Sequence, residues 1–203
     1  MSGATIDSEV LILVEGKDEI NFFNALLKHM GITSFEVIQS GGKERFRTLF
    51  PGIVKTTGFK QKVKKLLIVQ DADQNEAASF ESIVSLVRRE KLISPPKVNE
   101  FSKGSPSVCI FLMPGNSETG MLEDLCLKTV ETKPGMRCVK TFVECVSAFD
   151  EGQKPRNMAK AKAQVYLATL PKIQNSVGIA ALKSTWDFDS PELDEIKSVI
   201  NLI

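Results

Sequence analysis

The sequence predicts an α/β protein with a mostly parallel sheet flanked by helices and a helical C-terminal part. Short apolar runs rich in β-branched residues alternate with segments whose apolar positions recur at helical spacing, which is typical of a parallel sheet covered on both faces. After about residue 131 only the helical spacing continues. The 203 residues suit one domain, since a domain averages roughly 150 residues. We therefore expect an α/β domain over 1–130 and a helical extension over 131–203 packed on the same domain.

Four apolar runs predict the strands of this sheet. The run at 10–14 reads Val-Leu-Ile-Leu-Val and is followed by Glu15-Gly16, which is typical of a strand buried on both faces. Similar runs occupy 35–38, 66–69 and 108–113, and 98–101 is a possible short strand. Polar residues or glycines follow these runs, and Pro114-Gly115 ends the last of the four. Each run therefore stops at a turn signal, as a separate strand should.

Helical spacing of apolar residues is clearest at 17–30, where Gly31 supplies the stop. Further helices are predicted at 43–57, 75–91, 122–130, 137–149, 157–170 and 192–202. Pro51 is expected to break or kink the second helix, because proline removes a backbone donor. Trp186 and Phe188 precede the last helix, and we expect them to anchor it structurally rather than to stack on bases.

Composition excludes several classes of function. The formal net charge is +1, so contact with a polyanion must come from a local basic patch. The four cysteines lack zinc-type spacing and His29 is the only histidine, which argues against histidine-rich metal sites and Ser-His-Asp catalysis. No apolar run approaches the roughly 18 residues that span a bilayer. We expect a cytoplasmic protein with reduced thiols and no membrane association.

Acidic residues follow two of the predicted strands directly. Glu15 ends the first, and Asp71 and Asp73 end the third. Ligands bind at the carboxyl ends of the strands in open α/β sheets, and residues two apart in an extended segment point to the same side, so these oxygens can face one hard cation. The alternative is that they are solvated loop residues and helix caps. Glu19 lies one helical turn beyond Glu15, and Asp18 competes with it.

Four short motifs occur in a characteristic order: Val14-Glu15-Gly16, Ser40-Gly41-Gly42, Asp71-Ala72-Asp73 and Gly120-Met121-Leu122-Glu123-Asp124-Leu125. The first three resemble the Toprim domain that primases, topoisomerases and a set of nucleases share. The fourth resembles the Leu-Glu-Asp element in the Toprim part of the overcoming-lysogenization-defect (OLD) nucleases and of small standalone Toprim-like proteins. The resemblance covers about residues 8–130 and implies a Toprim-like, Rossmann-like sheet.

The resemblance also implies a metal site. Glu15 would be a metal ligand or a proton-transfer group, and Asp71 and Asp73 would be metal ligands. Glu19, Glu123 and Asp124 would complete a second metal position for Mg²⁺ or Mn²⁺, where two metals hold the attacking and leaving oxygens of a phosphodiester. Glu118 is a looser alternative to Glu123. Glu123 and Asp124 could instead be plain first-turn charges that the helix dipole favours.

Glycines and basic residues surround these motifs. Gly16, Gly41 and Gly42 would let the backbone approach a phosphate or a metal-bound group, although a simple turn needs the same glycines. Lys160 or Lys162 would reach the scissile phosphate, as a lysine C-terminal to the carboxylates does in OLD-type sites. Two basic clusters could track a nucleic-acid backbone or could only solubilise their helices: Lys43, Arg45 and Arg47, and Lys60, Lys62, Lys64 and Lys65.

Within this class, water-driven phosphodiester hydrolysis fits best. Tyr166, the only tyrosine, suits a core position better than a topoisomerase nucleophile, zinc cysteines of a primase are lacking, and no G-x-x-x-x-G-K-[ST] motif occurs. We expect a metal-dependent nuclease acting alone or with a separate ATPase or other protein partner. The alternative is a non-catalytic Toprim-like binding module for nucleic acid or protein, and a small-molecule phosphohydrolase is the third hypothesis.

Overall fold

The structure, a computed structural model, describes residues 6–72 and 74–203. These residues form one sheet of four parallel strands in the order β2-β1-β3-β4. The strands are β1 (Val10–Val14), β2 (Glu36–Gln39), β3 (Lys65–Asp71) and β4 (Ser107–Met113). In the central strand Ile12 pairs with Val37 on one side and with Leu67 on the other. The predicted α/β fold class, with helices flanking the sheet and following it, is confirmed.

Alternation along the strands gives the sheet two buried faces. Ile12, Leu67 and Phe111 belong to the core on one face, while Leu11, Leu66 and Ile110 belong to the core on the other. The first face is covered by α1 (Lys17–His29), α5 (Leu122–Lys128), α6 (Gly135–Ser147), α7 (Met158–Ala168), α8 (Val177–Leu182) and α9 (Asp194–Ile200). The second is covered by α2 (Lys43–Lys55), α3 (Thr57–Lys62) and α4 (Glu76–Arg89). Side chains of the C-terminal helices thus share one hydrophobic core with the strands.

The aromatic residues before the last helix are buried, as predicted. Trp186 donates its indole N–H to the carbonyl of Val177 at 2.8 Å and stacks on Tyr166. Phe188 meets Phe22 of α1 edge-to-face, with the ring centroids 5.6 Å apart. Tyr166 is only 4 % exposed. These contacts fix the C-terminal segment against α1 and α7, and they remove Trp186 and Tyr166 from the surface.

Of the predicted break or kink at Pro51, the break is wrong, because α2 continues past this residue. Proline has no N–H for the carbonyl four residues earlier, which here belongs to Arg47. The guanidinium of Arg89, on α4, donates to that carbonyl at 3.3 Å. A neighbouring helix therefore satisfies the acceptor that the proline leaves, and α2 continues to Lys55.

The possible strand at 98–101 is not a strand, so that prediction is wrong. Asn99 donates its N–H to Ile110 at 2.9 Å and Ser102 donates to Val108 at 2.8 Å, so the segment does lie beside β4. Asn99 has a φ of 63°, in the left-handed region. That conformation interrupts the extended backbone that a strand requires.

Within the described ranges, no helix combines the length and the apolarity of a membrane span.

Candidate acidic site

Five acidic side chains line one cavity of about 770 Å³ at the carboxyl edge of the sheet. Glu15 follows β1, Asp71 ends β3, Asp18 and Glu19 lie in the first turn of α1, and Glu123 lies in the first turn of α5. We call this cavity the acidic pocket. Its other lining residues are Gly16, Lys17, Gln39, Gly42, Lys43, Met121, Lys160 and Ser176. Parallel strands bring their carboxyl ends to one edge, which is why residues so distant in the chain meet here.

Glu15 connects the ends of the two central strands. Its Oε2 accepts a hydrogen bond from the backbone N–H of Asp71 at 3.3 Å. Its Oε1 lies 3.8 Å from the position that a Cβ on Gly42 would take, so the turn after β2 is also close by. The carboxylate of Glu15 is therefore held between the ends of three strands.

The turn after β2 is fixed by a buried serine. The backbone N–H and the hydroxyl of Ser40 both donate to the carbonyl of Val14, at 2.7 and 2.8 Å. Gly41 then has a φ of +73°, which favours glycine, and a Cβ there would meet the side chain of Arg45 at 2.5 Å. Gly42 and Gly16 line the acidic pocket, whereas Gly41 serves the turn itself.

Glu19 packs back onto the start of its own helix. A Cβ on Gly16 would lie 2.7 Å from Glu19 Oε2, so only glycine leaves room for this carboxylate. Burial raises the pKa of Glu19, and the charge of Asp18 raises it further, whereas backbone hydrogen bonds and the ammonium of Lys160 lower it. The site therefore holds a carboxylate whose ionised form is disfavoured by its own surroundings.

Glu123 is the most buried acidic side chain in the pocket, at 9 % exposure. Burial raises its pKa, the charges of Glu19 and Asp18 raise it further, and a backbone hydrogen bond and Lys160 lower it. Glu19 and Glu123 are thus close enough for one negative charge to oppose the other. Such a pair needs a compensating cation when both groups are ionised.

The residues beside Glu123 and Lys160 in the chain have other surroundings. Asp124 accepts the N–H of Met121 at 3.1 Å and so caps the start of α5. Asp124 and Lys162 line a separate groove of about 450 Å³ formed by residues of α5, α6 and α7. Lys160 itself follows Asn157, whose side chain accepts the Lys160 N–H at 2.9 Å and caps α7. Of the two predicted lysines, Lys160 is the one that lines the acidic pocket.

Other candidate residues have partners elsewhere or lie outside the description. Asp73, a predicted metal ligand, lies outside the described residues. Glu118 pairs with Lys128. Asp18 accepts hydrogen bonds from the Ser176 hydroxyl at 2.5 Å and from the Gly178 N–H at 3.1 Å. Asp18 therefore hydrogen-bonds to the start of α8, and its negative charge also raises the pKa of Glu19 and of Glu123.

The predicted basic surface is divided by the sheet. Lys43 lines the acidic pocket at the carboxyl edge. Lys65 begins β3, at the opposite edge, where its ammonium lies 5.1 Å from the Phe101 ring centroid, and Lys64 pairs with Glu9 at 2.6 Å. Asp71 is six residues further along β3 than Lys65, a distance of about 20 Å. Lys64 and Lys65 therefore do not extend the surface of Lys43.

The carboxylates of the acidic pocket are suited to a hard cation, although they are not already arranged around a single metal position. Among the described residues no three histidine, cysteine or acidic side chains converge as metal ligands. Carboxylate oxygens are nevertheless the ligands that Mg²⁺ and Mn²⁺ prefer, and the buried Glu19 and Glu123 gain most from a nearby positive charge. The chemistry of Glu15, Glu19, Asp71 and Glu123 therefore fits such an ion.

Three residues that line the pocket were not predicted as site residues: Gln39, Met121 and Ser176. Gln39 could have been found, because it ends β2 at the same edge as Glu15. Met121 and Ser176 come from the loops before α5 and α8, and only the packing of those helices against the sheet brings them here. Loop residues of this kind follow no periodic pattern.

Comparisons with known proteins give a family and one structure neighbour. A family model described as "Protein of unknown function (DUF3226)" matches residues 9–203. No curated protein matches the chain. Among solved structures the chain is similar to the C-terminal region of the Xanthomonas campestris pv. campestris OLD protein, with 13 % identity and a TM-score of 0.41 over 96 % of this chain and 95 % of that chain. The Toprim identity inferred from the sequence stays a prediction.

Proposed function

The chain belongs to the DUF3226 family of proteins of unknown function, and we propose that it hydrolyses phosphodiester bonds of nucleic acid at a Toprim-type carboxylate site that uses Mg²⁺ or Mn²⁺. The acidic pocket carries this proposal. Glu15, Glu19, Asp71 and Glu123, from three separate parts of the chain, line one cavity together with Lys160. Solvated loop residues or helix caps would not need a shared, partly buried cavity at the sheet edge where ligands bind.

Each side chain has a role that its contacts support. Glu15, Asp71, Glu19 and Glu123 would hold the metal ions. Such ions, when bound, supply Lewis acidity to the phosphate and lower the pKa of a water that attacks it. Glu15 is oriented for this by the Asp71 N–H. Lys160 places a positive charge beside Glu19 and Glu123, where it can neutralise a phosphate oxygen.

The direct test is metal-dependent cleavage. Plasmid, single-stranded DNA and RNA are incubated with the protein and Mn²⁺ or Mg²⁺, and the products are resolved on a gel. We expect cleavage of at least one substrate that EDTA abolishes and that Glu15→Ala and Asp71→Asn remove. Glu81→Gln, an exposed position on α4 away from the pocket, is the matched control and should cleave normally. Cleavage that survives both pocket substitutions would contradict the assignment.

A non-catalytic binding module is the competing function, because no three described acidic side chains already converge as ligands. Titration with Mn²⁺ separates the two. The enzyme requires metal binding that Asp71→Asn abolishes, whereas a module that binds only nucleic acid or protein keeps its partner after the same substitution. A separate ATPase or other protein partner stays part of the proposal, because the chain has no phosphate-binding G-x-x-x-x-G-K-[ST] motif of its own.

A further inference from the structure

A second cavity, of about 720 Å³, lies next to the acidic pocket and has the opposite charge. Its cationic lining residues are Lys43, Arg47 and Arg156, and Asn75 and Asn157 also line it. No acidic residue is among the described residues that line it. We call this cavity the basic groove.

Three separate elements build the basic groove. Lys43 and Arg47 are four residues apart on α2 and therefore lie on one face of that helix. Asn75 caps α4, where its side chain accepts the Ala78 N–H at 2.9 Å. Arg156 and Asn157 come from the segment that enters α7. The positive charges are therefore brought together by the fold and do not belong to a single charged stretch of sequence.

The basic groove and the acidic pocket adjoin each other. Lys43 and Met121 line both cavities. The ammonium of Lys43 donates to the Ser79 hydroxyl at 2.9 Å, and Ser79 in turn donates to the carbonyl of Ala72 at 3.2 Å. These hydrogen bonds fix the Lys43 side chain at the boundary between the two cavities, close to Ala72, which directly follows β3.

We propose that the basic groove binds the sugar-phosphate backbone of a nucleic-acid strand on one side of the phosphate that enters the acidic pocket. This rests on the proposed function, because it takes the acidic pocket as the place of the reacting phosphate. The acidic side chains of the pocket repel the phosphates of the strand that are not bound to the metal. Those neighbouring phosphates therefore need a separate positive surface. The basic groove is such a surface, and it adjoins the pocket.

The lining of the basic groove also indicates how a strand is recognised. No aromatic side chain is among its described residues, so bases have no stacking platform there. Arginine, lysine and asparagine side chains are donors that commonly contact phosphate oxygens, and such contacts fix position without reading sequence. The bound strand is therefore recognised through its backbone and independently of its sequence.

The test is binding without metal, which is independent of hydrolysis. The anisotropy of fluorescein-labelled single-stranded oligonucleotides of two unrelated sequences is measured in EDTA across a salt series, for the wild type and for the double variant Arg47→Gln/Arg156→Gln. We expect both oligonucleotides to bind equally well. We expect the double variant to lose about tenfold or more in affinity at low salt. Its slope of log K against log salt should be shallower by about 0.7 for each phosphate that the protein no longer neutralises.

The matched control removes two charges from another lysine-rich surface. Lys172 and Lys183 are exposed and line a separate cavity of about 1010 Å³ away from the acidic pocket. Lys172→Gln/Lys183→Gln changes the net charge equally, so it should lose much less affinity. Equal losses in the two double variants, or a loss confined to the lysine variant, would overturn the proposal. Retained binding with no metal-dependent cleavage would leave the basic groove assigned and would remove the proposed hydrolysis instead.

Discussion

Glu19 and Glu123 are carboxylates whose burial opposes their ionisation, and this predicts a specific pH dependence. Both pKa values lie above the ordinary value of 4.5, so the folded protein retains protons that the unfolded chain has already lost. The stability contributed by these groups is therefore present below about pH 4.5 and is lost as the pH rises through the folded-state pKa values.

We expect Glu19→Gln to raise the melting temperature of the metal-free protein at neutral pH, because glutamine resembles the protonated acid. A gain of about 1 kcal/mol would correspond to about 2–4 °C in a protein of this size. The gain should shrink as the pH approaches 4.5. Thermal melts in EDTA over a pH series measure it, with Glu81→Gln as the control. A destabilising effect of Glu19→Gln at neutral pH, with none for Glu81→Gln, would contradict the interpretation.

Lys160 and Lys162 can be separated by experiment, because only Lys160 lines the acidic pocket. Lys160→Gln should raise the pKa of Glu19 and Glu123 further, since its charge lowers both. It should also reduce cleavage by about 100-fold, which is typical for the loss of one donor to the reacting group. NMR titration of the carboxyl carbons and a cleavage assay measure the two effects.

Lys162→Gln should leave both carboxyl titrations unchanged and should reduce cleavage much less. If Lys162→Gln has the larger effect on cleavage, the lysine has been assigned wrongly.

The sequence could predict which acidic residues come together but not which of two neighbours faces the pocket. Glu15 and Asp71 were predicted to meet because each follows a buried parallel strand, and the Glu15 carboxylate does accept the Asp71 N–H. Adjacent helical residues point about 100° apart, so Glu123 and Asp124 have different surroundings. Which one turns toward the sheet depends on how α5 packs, and a short motif does not encode that.

At the scale of the elements, the contact between α1 and α8 is close enough to need a glycine. A Cβ on Gly178 would lie 2.6 Å from both the Cα and the carbonyl oxygen of Asp18. The neighbouring atoms are backbone, so a side chain there must push the helices apart. Asp18 also accepts the N–H of Gly178 in this contact.

We expect Gly178→Ala to destabilise the protein by about 1–3 kcal/mol, the usual range for overpacking a tight contact. Gly52→Ala is the matched control. Gly52 lies inside α2 and a Cβ there would meet nothing within 4 Å, so alanine should stabilise by about 1 kcal/mol through its helix propensity. Urea unfolding of both variants measures the difference. Similar effects of the two substitutions would show that α1 and α8 are not tightly packed.

Most helices were predictable from the sequence, but the two shortest α-helices were not. The periodicity of α1 and α4 extends over several turns and predicts their bounds to within one or two residues. Helices α3 and α8 have six residues each, which is too few for a periodic pattern to be recognised. The carbonyl that Pro51 leaves without a helical donor accepts a hydrogen bond from Arg89 of another helix, and no local rule anticipates such a contact.

At the scale of the whole molecule, the net charge of +1 is a sum over acidic and basic clusters that lie in different places. Acidic side chains line one cavity at the sheet edge and basic side chains line the next. Composition alone predicted that any polyanion must meet a local patch, and the fold supplies one at Lys43, Arg47 and Arg156. Lys64 and Lys65, which looked equally suitable in the sequence, lie at the opposite edge of the sheet, at the start of β3.

A bound ion that prefers the folded state must stabilise the whole molecule, and this gives a test that needs no substrate. With Mn²⁺ at about one hundred times its Kd, the free energy of unfolding should rise by about 2.7 kcal/mol, which is about 5–10 °C in melting temperature for a protein of this size. The effect should grow with pH, because Glu19 and Glu123 have raised pKa values and must lose their protons to bind a cation.

Asp71→Asn should abolish this stabilisation, since it removes a carboxylate while leaving the backbone N–H that Glu15 accepts. Glu81→Gln should retain it. Melting curves with Mn²⁺ and with EDTA over a pH series measure both. An equal rise in the melting temperature of wild type and Asp71→Asn would mean that Mn²⁺ binds elsewhere. Lysine side chains that line the pocket, Lys160 among them, would then balance the carboxylates in place of a metal ion, and the acidic pocket would have no metal-dependent chemistry.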